Sequence, residues 1–265
     1  MDAADRIRAW RPPVPGVHEV LHAEFHRHAY PAHTHAQWSL LLIDAGEVAY
    51  DLDGRHRLAP ASTLTMLPPH VAHDGRSSIP GTAFRKRVVY LDADWLDERH
   101  VDRFVDRPLL LMPAITSAVR RLHDALLTDG DGLRGETELL RVRTALERGG
   151  AGTRGPVRRD DPLAARLRAM LDADPAAAPT LREAGRLLGA SPGHLVRTFS
   201  AAYGMPPHRY LTGRRVDRAR RLLLDGMGVA AVAQSVGFFD QAHLTRHFTR
   251  TLGMPPAFFA RSAAA

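Results

Sequence analysis

Two stretches near the C-terminus, LGASPGHLVRTFSAAYGMPPHRYL (188–211) and VGFFDQAHLTRHFTRTLGMPPAFFA (236–260), follow one pattern. The tetrapeptide GMPP occurs near the end of both, and Gly189 aligns with Gly237 at an offset of 48. After one inserted residue the offset becomes 49, which aligns His194, Leu195, Arg197 and Phe199 with His243, Leu244, Arg246 and Phe248. Such self-similarity indicates a duplicated structural unit.

Each copy has the capping and turn residues expected for a helix, a tight turn and a second helix. In the first copy, Thr180 and Glu183 predict a capping box at the start of one helix. Gly189 permits the turn, and Ser191 followed by proline predicts the start of the next helix. The segment 207–224 predicts one long helix between the copies. The pattern therefore predicts two helix-turn-helix units joined by a rod.

The net charge of +7 is unevenly distributed. Residues 162–265 contain 14 Arg and 6 acidic residues, a net +8, which leaves −1 for residues 1–161. A basic module suits nucleic acid, because neutralisation of phosphates supplies much of the affinity. The chain has 35 Arg and a single Lys, which also fits a GC-rich coding bias. Charge alone thus leaves a DNA-binding face and a merely solvated basic face both open.

The segment 180–261 resembles the DNA-binding domain of the AraC/XylS transcription regulators. The motifs that carry the resemblance are LREAGRLLGASPGHLVRTF, RRVDRARRLLLDG, VAAVAQSVGFFDQAHLTRHFTRTLGMPP and the pair Phe258-Phe259. The resemblance implies two recognition helices that enter successive major grooves about 34 Å apart. Gly185 stands where relatives usually have Ala, and it predicts a less stable first helix.

The exposed side of the two recognition helices supplies the expected DNA contacts. These are His194, Arg197, Ser200, Gln241, Ala242, His243, Arg246 and Arg250, together with Arg215 on the long helix. Arg197 and Arg246 occupy equivalent places and are expected to bind a guanine edge, with backbone pairing as the alternative. Arg250 is expected to contact phosphate. A packing or capping role is the alternative for His194 and His243.

Short alternating runs dominate the first ninety residues. The runs 38–43, 47–52, 62–67 and 85–91 predict strands, and Asp53-Gly54 predicts a hairpin turn. Short antiparallel strands of this kind predict a small barrel or sandwich.

The stretch PAHTHAQWSLLLIDAGEVAYDLDGRHRLAPASTLTMLPPHVAH (31–73) resembles the cupin-type sensor domain found in the same family. The resemblance implies an effector pocket, with lining residues His33, His35, Trp38, Tyr50 and His73. Three imidazoles, from His33, His35 and His73, also predict a possible site for a divalent first-row metal. The glutamate of cupin metalloenzymes is missing, because Gln37 stands in that region. A metal-free pocket for an organic ligand therefore remains the alternative.

The predicted fold class is multidomain, an all-β cupin-like barrel with following helices and then an all-α double helix-turn-helix domain. The predicted boundaries are 1–112 for the sensor, 113–148 for a helical dimerisation segment, 149–161 for a linker and 162–265 for the DNA-binding domain. The predicted function is a ligand-responsive, sequence-specific transcription regulator, activator or repressor, and not an enzyme. The alternatives are a cupin-type metalloenzyme fused to a DNA-binding module and a ligand-independent architectural DNA binder.

The composition limits the chemistry and the cellular location that we expect for this chain. The chain has no cysteine, which excludes disulfides, thiol nucleophiles and zinc fingers. No apolar run is long enough to span a membrane and no signal peptide is recognisable, so a cytoplasmic location is expected. The expected partners are promoter or operator double-stranded DNA, a small-molecule effector, a second copy of the chain and, for an activator, RNA polymerase.

Overall fold

A computed structural model describes residues 5–127, 132–148 and 161–262. They form an N-terminal domain rich in β-strands, a pair of helices after it, and an all-helical C-terminal domain, as the sequence predicts. Most of the predicted linker, residues 149–160, lies outside the described residues. Among the described helices, none has the length and apolarity needed to cross a membrane.

The N-terminal domain is built from two antiparallel sheets. Its strands are β1 (Arg6–Trp10), β2 (Val17–Phe25), β3 (Tyr30–His33), β4 (Trp38–Ala45), β5 (Val48–Leu52), β6 (Arg55–Ala59), β7 (Leu64–Leu67), β8 (His73–Ser77), β9 (Phe84–Leu91) and β10 (Leu109–Leu110). One sheet has the order β1-β2-β9-β4-β7-β10 and the other β3-β8-β5-β6. The four predicted strands correspond to β4, β5, β7 and β9. The predicted hairpin turn is also present, since Asp53 and Gly54 have φ of 54° and 72°.

Alternation along the strands sorts side chains between two cores. On β9, Val88 and Tyr90 face the space between the sheets, whereas Val89 and Leu91 face outward. The outward face is covered by α1 (Val101–Asp106), α2 (Pro113–Leu126) and α3 (Gly132–Arg148). The inner core extends beyond the sheets and includes apolar side chains of the C-terminal domain, among them Val216 and Leu252. The two domains therefore share one buried core.

The C-terminal domain consists of seven helices in its described part. They are α4 (Pro162–Ala173), α5 (Leu181–Leu188), α6 (Pro192–Tyr203), α7 (Pro207–Leu224), α8 (Val229–Ser235), α9 (Gln241–Leu252) and α10 (Pro256–Ser262). The predicted capping box of Thr180 and Glu183 is formed, and Ser191 accepts a hydrogen bond from the backbone N–H of His194. Asp240 does the same for His243 at the start of α9. Helices α5–α6 and α8–α9 are thus the two predicted helix-turn-helix units, with α7 between them.

Two glycines in these units are required by close backbone approaches. A Cβ on Gly185 would lie 2.5 Å from the carbonyl oxygen of Ala190, so the departure from Ala in α5 makes room for the turn that follows. A Cβ on Gly237 would lie 2.7 Å from the carbonyl oxygen of Ala176. Gly237 also has a φ of +83°, which side chains disfavour. The second turn therefore packs directly on the segment between α4 and α5.

We expect Gly237→Ala to destabilise the C-terminal domain more than Gly189→Ala, as measured by urea unfolding. Both substitutions place a side chain at positive φ, which costs about 1–2 kcal/mol. A Cβ at Gly189 meets nothing within 4 Å, whereas Gly237→Ala adds a backbone clash that costs about 1–3 kcal/mol more. Equal losses for the two variants would contradict the close approach to Ala176.

Candidate functional site

A cavity lies between the two sheets of the N-terminal domain, and the C-terminal domain closes it. Helix α7 contributes Asp217 and Arg220, and the end of α9 contributes Thr251 and Leu252. The remaining lining comes from the strands and includes Tyr30, His33, His35, Ser39, Tyr50, His73, Lys86 and Tyr90. The volume of the cavity is about 50 Å³. The cavity is thus small, largely enclosed and shared by both domains.

Three histidines meet at one wall of this cavity. One ring nitrogen from each of His33, His35 and His73 lies within 4.8 Å of the other two. The Nδ1 of His33 lies 2.7 Å from the Pro31 carbonyl oxygen, and that of His73 lies 2.9 Å from the Val71 carbonyl oxygen. Each Nδ1–H can donate to that carbonyl, which leaves the Nε2 lone pair free. The backbone thus fixes the orientation of these two rings.

The third ring is held by the other domain. Nδ1 of His35 lies 3.4 Å from a carboxylate oxygen of Asp217 on α7. Burial lowers the pKa of all three histidines, and that of His73 falls to about 4. The rings are therefore neutral near pH 7, which is the protonation state that a metal ligand requires.

The structure places four of the five predicted pocket residues on the cavity wall, namely His33, His35, Tyr50 and His73. The prediction that Trp38 lines the pocket is wrong. Trp38 is the first residue of β4 and faces the outer core, where its Nε1–H donates to the carbonyl of Ala93 at 3.1 Å. Its neighbour Ser39 points into the cavity instead, because adjacent residues of a strand face opposite sides.

A buried ion pair of Arg220 with Glu19 on β2 links the two domains. Both side chains are almost inaccessible, with exposed fractions of 3% and 4%. Burial raises the pKa of Glu19, and the adjacent guanidinium opposes that shift. Arg220 also lies over the ring of Tyr90, with 4.7 Å from guanidinium carbon to ring centroid. The cavity thus contains an arginine delivered by the C-terminal domain and neutralised by the N-terminal domain.

A second polar link joins the domains beside the cavity. Nδ1 of His70 lies 3.2 Å from the hydroxyl of Tyr210 on α7, and that hydroxyl donates to Asp172 on α4 at 2.8 Å. Arg214 donates to the same carboxylate at 2.8 Å. These contacts hold α7 against both α4 and the turn before β8.

Most predicted DNA-contacting side chains lie on the accessible surface. His194, Arg197, Gln241, Ala242, Arg246 and Arg250 are exposed on α6 and α9, and Ser200 is half-buried. His243 is also half-buried, and its ring packs between Phe238 and His247, with centroids 5.2 and 4.9 Å away. That contact fits the alternative packing role considered from the sequence.

Arg215 is half-buried and makes a contact within its own domain, and its predicted DNA contact stays a prediction. Its Nε–H donates to the carbonyl of Pro175 at 2.8 Å, so the side chain fastens α7 to the segment between α4 and α5. Its nearest partners are backbone atoms of its own domain.

The cavity contains residues that the sequence patterns did not single out. Arg220 and Asp217 are among them, together with Lys86, Tyr30 and Tyr90 on the strands. A signal for Arg220 was present, since it lies four residues after Val216 and three before Leu223 and therefore falls on the apolar side of α7. Lys86 could have been singled out because it is the chain's single lysine.

Two family models match the chain. The model described as an AraC-like ligand binding domain matches residues 15–143, and a helix-turn-helix domain model matches residues 185–262. An AraC-like transcription regulator of Streptomyces lividans is 36% identical over 97 residues, which cover 36% of this chain and 32% of that protein. The match thus spans about a third of the length of this relative.

Solved structures of ToxT from Vibrio cholerae have a similar fold over nearly the whole chain. A ligand-free ToxT variant gives a TM-score of 0.66 at 11% identity and covers 98% of both chains. Wild-type ToxT bound to an unsaturated fatty acid gives 0.61 at 11% identity and covers 99% of this chain and 96% of that one. The order and arrangement of the two domains are therefore shared.

We expect Glu19→Gln to weaken the contact between the domains, because it leaves the buried charge of Arg220 uncompensated. Removal of one partner of a buried ion pair costs about 3–5 kcal/mol. Urea unfolding should shift to lower concentration, and small-angle scattering should give a larger radius of gyration. The matched control is Glu24→Gln on the same strand, whose carboxylate is partly exposed. Indistinguishable unfolding and scattering for the two variants would refute the role of the pair.

Proposed function

Because this chain belongs to the AraC family, we propose that it is a transcription regulator whose DNA binding responds to a small effector in the central cavity. The observation that carries the proposal is the lining of that cavity by both domains. An effector bound there touches α7, the helix that connects the two helix-turn-helix units. A ligand that prefers one arrangement of the domains shifts the population toward it.

The size of the cavity favours a small effector. A cavity volume of about 50 Å³ accommodates a few non-hydrogen atoms without movement of α7. One of the ToxT structures contains an unsaturated fatty acid, and a long chain of that kind would require this cavity to open. We therefore propose that the effector is compact, and that a larger ligand acts only by displacing the C-terminal domain.

The exposed residues of α6 and α9 are the proposed DNA contacts. Arg246 and its counterpart Arg197 are placed to read a guanine edge, because an exposed guanidinium can donate two hydrogen bonds to one base. Arg250 and Gln241 flank Arg246 on α9. Arg250 is the proposed phosphate contact, and Gln241 is proposed to contact adenine or a phosphate. The matching positions of Arg197 and Arg246 in the two repeats support equivalent roles.

We expect Arg246→Ala to weaken binding to the preferred site by about 1–3 kcal/mol and to relax the preference at one base pair. The site is first selected from random double-stranded DNA with the full-length protein, and affinities are then measured by fluorescence anisotropy.

The matched control is Arg250→Ala, one turn further along the same helix. Loss of a phosphate contact should weaken binding to all sequences alike and reduce the salt dependence by about one ion. If Arg246→Ala also weakens all sequences alike, Arg246 contacts phosphate and the proposed base contact is wrong.

We also propose that His33, His35 and His73 bind one divalent first-row metal ion. The rings are neutral, and their Nδ1 atoms face two carbonyls and one carboxylate, the outer partners that metal-bound histidines usually have. Two nitrogens bound to one tetrahedral zinc ion at about 2.0–2.1 Å are about 3.3–3.4 Å apart. The ring nitrogens, which lie within 4.8 Å of one another, would therefore have to move closer together to bind the ion. The ion would fix the three rings and offer an open position to an effector.

We expect about one zinc or other first-row ion per chain in protein purified without chelator, as measured by mass spectrometry. His73→Ala should remove it, because two imidazoles alone bind such ions weakly. His56→Ala, which changes an exposed histidine of β6, should retain it. Equal metal content in the two variants would exclude the three-histidine site.

The remaining partners follow from the same proposal. Leu133 and Leu140 lie seven residues apart on α3 with exposed fractions of 78% and 64%, which favours a second copy of the chain as their partner. RNA polymerase is the further partner if the protein activates transcription. No catalytic step is assigned to the cavity, and we infer that binding alone carries the function.

A further inference from the structure

The chain's single lysine, Lys86, lines the cavity between the two sheets. Of 36 basic residues, 35 are arginine, and Lys86 is the one lysine. It lies on the inner face of β9 between Phe84 and Val88. The one side-chain amine of the sequence therefore lines this cavity.

The surroundings of Lys86 are poorly suited to a permanent charge. Its Nζ lies 3.8 Å from the ring centroid of Tyr30 and 5.7 Å from that of Phe25, and these cation–π contacts offset only part of the cost of burying an ammonium. Within the described part of the chain, no carboxylate forms an ion pair with it, and the like charge of Arg220 acts on it. Burial, reinforced by Arg220, lowers the pKa of Lys86 to about 7. Near neutral pH a large share of the side chain is therefore a free amine.

A free amine offers chemistry that arginine cannot. A guanidinium stays protonated in proteins, whereas a desolvated lysine is a nucleophile toward carbonyl carbon. The cavity gives this amine a confined space and a neighbouring hydrogen-bond donor, because the buried hydroxyl of Tyr30 has no hydrogen-bond partner among the residues that the structure describes. A tyrosine hydroxyl is protonated near neutral pH and can therefore donate.

We propose that Lys86 captures a small aldehyde or ketone as a reversible imine inside the cavity. The Nζ lone pair attacks the carbonyl carbon, and the carbonyl π electrons move to the oxygen, which takes up a proton. The resulting carbinolamine loses that oxygen as water, and the two amine hydrogens account for the water released. The Tyr30 hydroxyl donates a hydrogen bond to the departing oxygen.

This inference rests on the proposed function, because it names the chemical class of the effector. Imine formation places new covalent bulk beside Arg220, which closes the cavity from the side of α7. The ion pair of Arg220 with Glu19 would then have to adjust, and the contact between the domains with it.

The test is reductive trapping on the folded full-length protein. The protein is incubated with acetaldehyde, which has three non-hydrogen atoms, and cyanoborohydride near neutral pH, and the adducts are located by peptide mass spectrometry. The only other amine is the chain's own α-amino group, which serves as an internal reference. We expect Lys86 to be labelled at least about tenfold faster in the native protein than in urea, where its pKa returns to about 10.4.

Two variants make the result specific. Lys86→Arg should show no adduct at residue 86 while its circular dichroism stays native. Tyr30→Phe should slow labelling of Lys86 in the native protein but leave the rate in urea unchanged. Labelling of the α-amino group alone, or equal rates for Lys86 in native and unfolded protein, would overturn the proposal.

Measurements of DNA binding distinguish a failure of this inference from a failure of the proposed function. DNA binding by the untreated protein tests the regulator itself and needs no aldehyde. A change in DNA affinity when acetaldehyde is added, absent from Lys86→Arg, supports an imine-forming effector. Stabilisation of the protein by acetate with no trapped adduct would instead make Lys86 an anion-binding group and would overturn the imine.

Discussion

The arrangement of the molecule depends on the buried ion pair between Arg220 and Glu19. Each charge would lose several kcal/mol of hydration if it were buried alone, so neither side chain is stable in its place without the other. The pair therefore ties the angle of α7 to the position of β2. Because Val216 and Leu223 of the same helix pack into the shared core, this angle also sets where both helix-turn-helix units stand.

The cavity is a consequence of the same contact. The two sheets supply most of its wall, but Asp217 and Arg220 supply the side that faces the C-terminal domain. Asp217 also orients His35, so the histidine cluster is complete only when the domains are in contact. Occupancy of the cavity and contact between the domains are thus linked equilibria, and the linkage acts equally in both directions. A small ligand can influence DNA binding here without approaching the recognition helices.

Local signals predicted the parts of the fold that local interactions build. The GMPP repeat, the capping residues Thr180 and Ser191, and the Asp53-Gly54 turn act within a few residues, and each is present as expected. The error at Trp38 arose because a strand's face depends on which residue begins it, and a shift of one residue reverses the orientation. The contacts of Arg220 with Glu19 join residues 201 positions apart, and no local pattern carries that information.

The polar character of the interface has a functional logic. Apolar residues of similar volume in place of a buried ion pair are often equally stable or more stable, so Arg220 and Glu19 are poorly explained by stability alone. An all-apolar contact between α7 and the sheets would hold the domains together whatever the cavity contained. Charged and hydrogen-bonding groups make the contact sensitive to any ligand that offers them other partners. The proposed chemistry of Lys86 is an example, since both protonation and imine formation would change the charge that acts on Arg220.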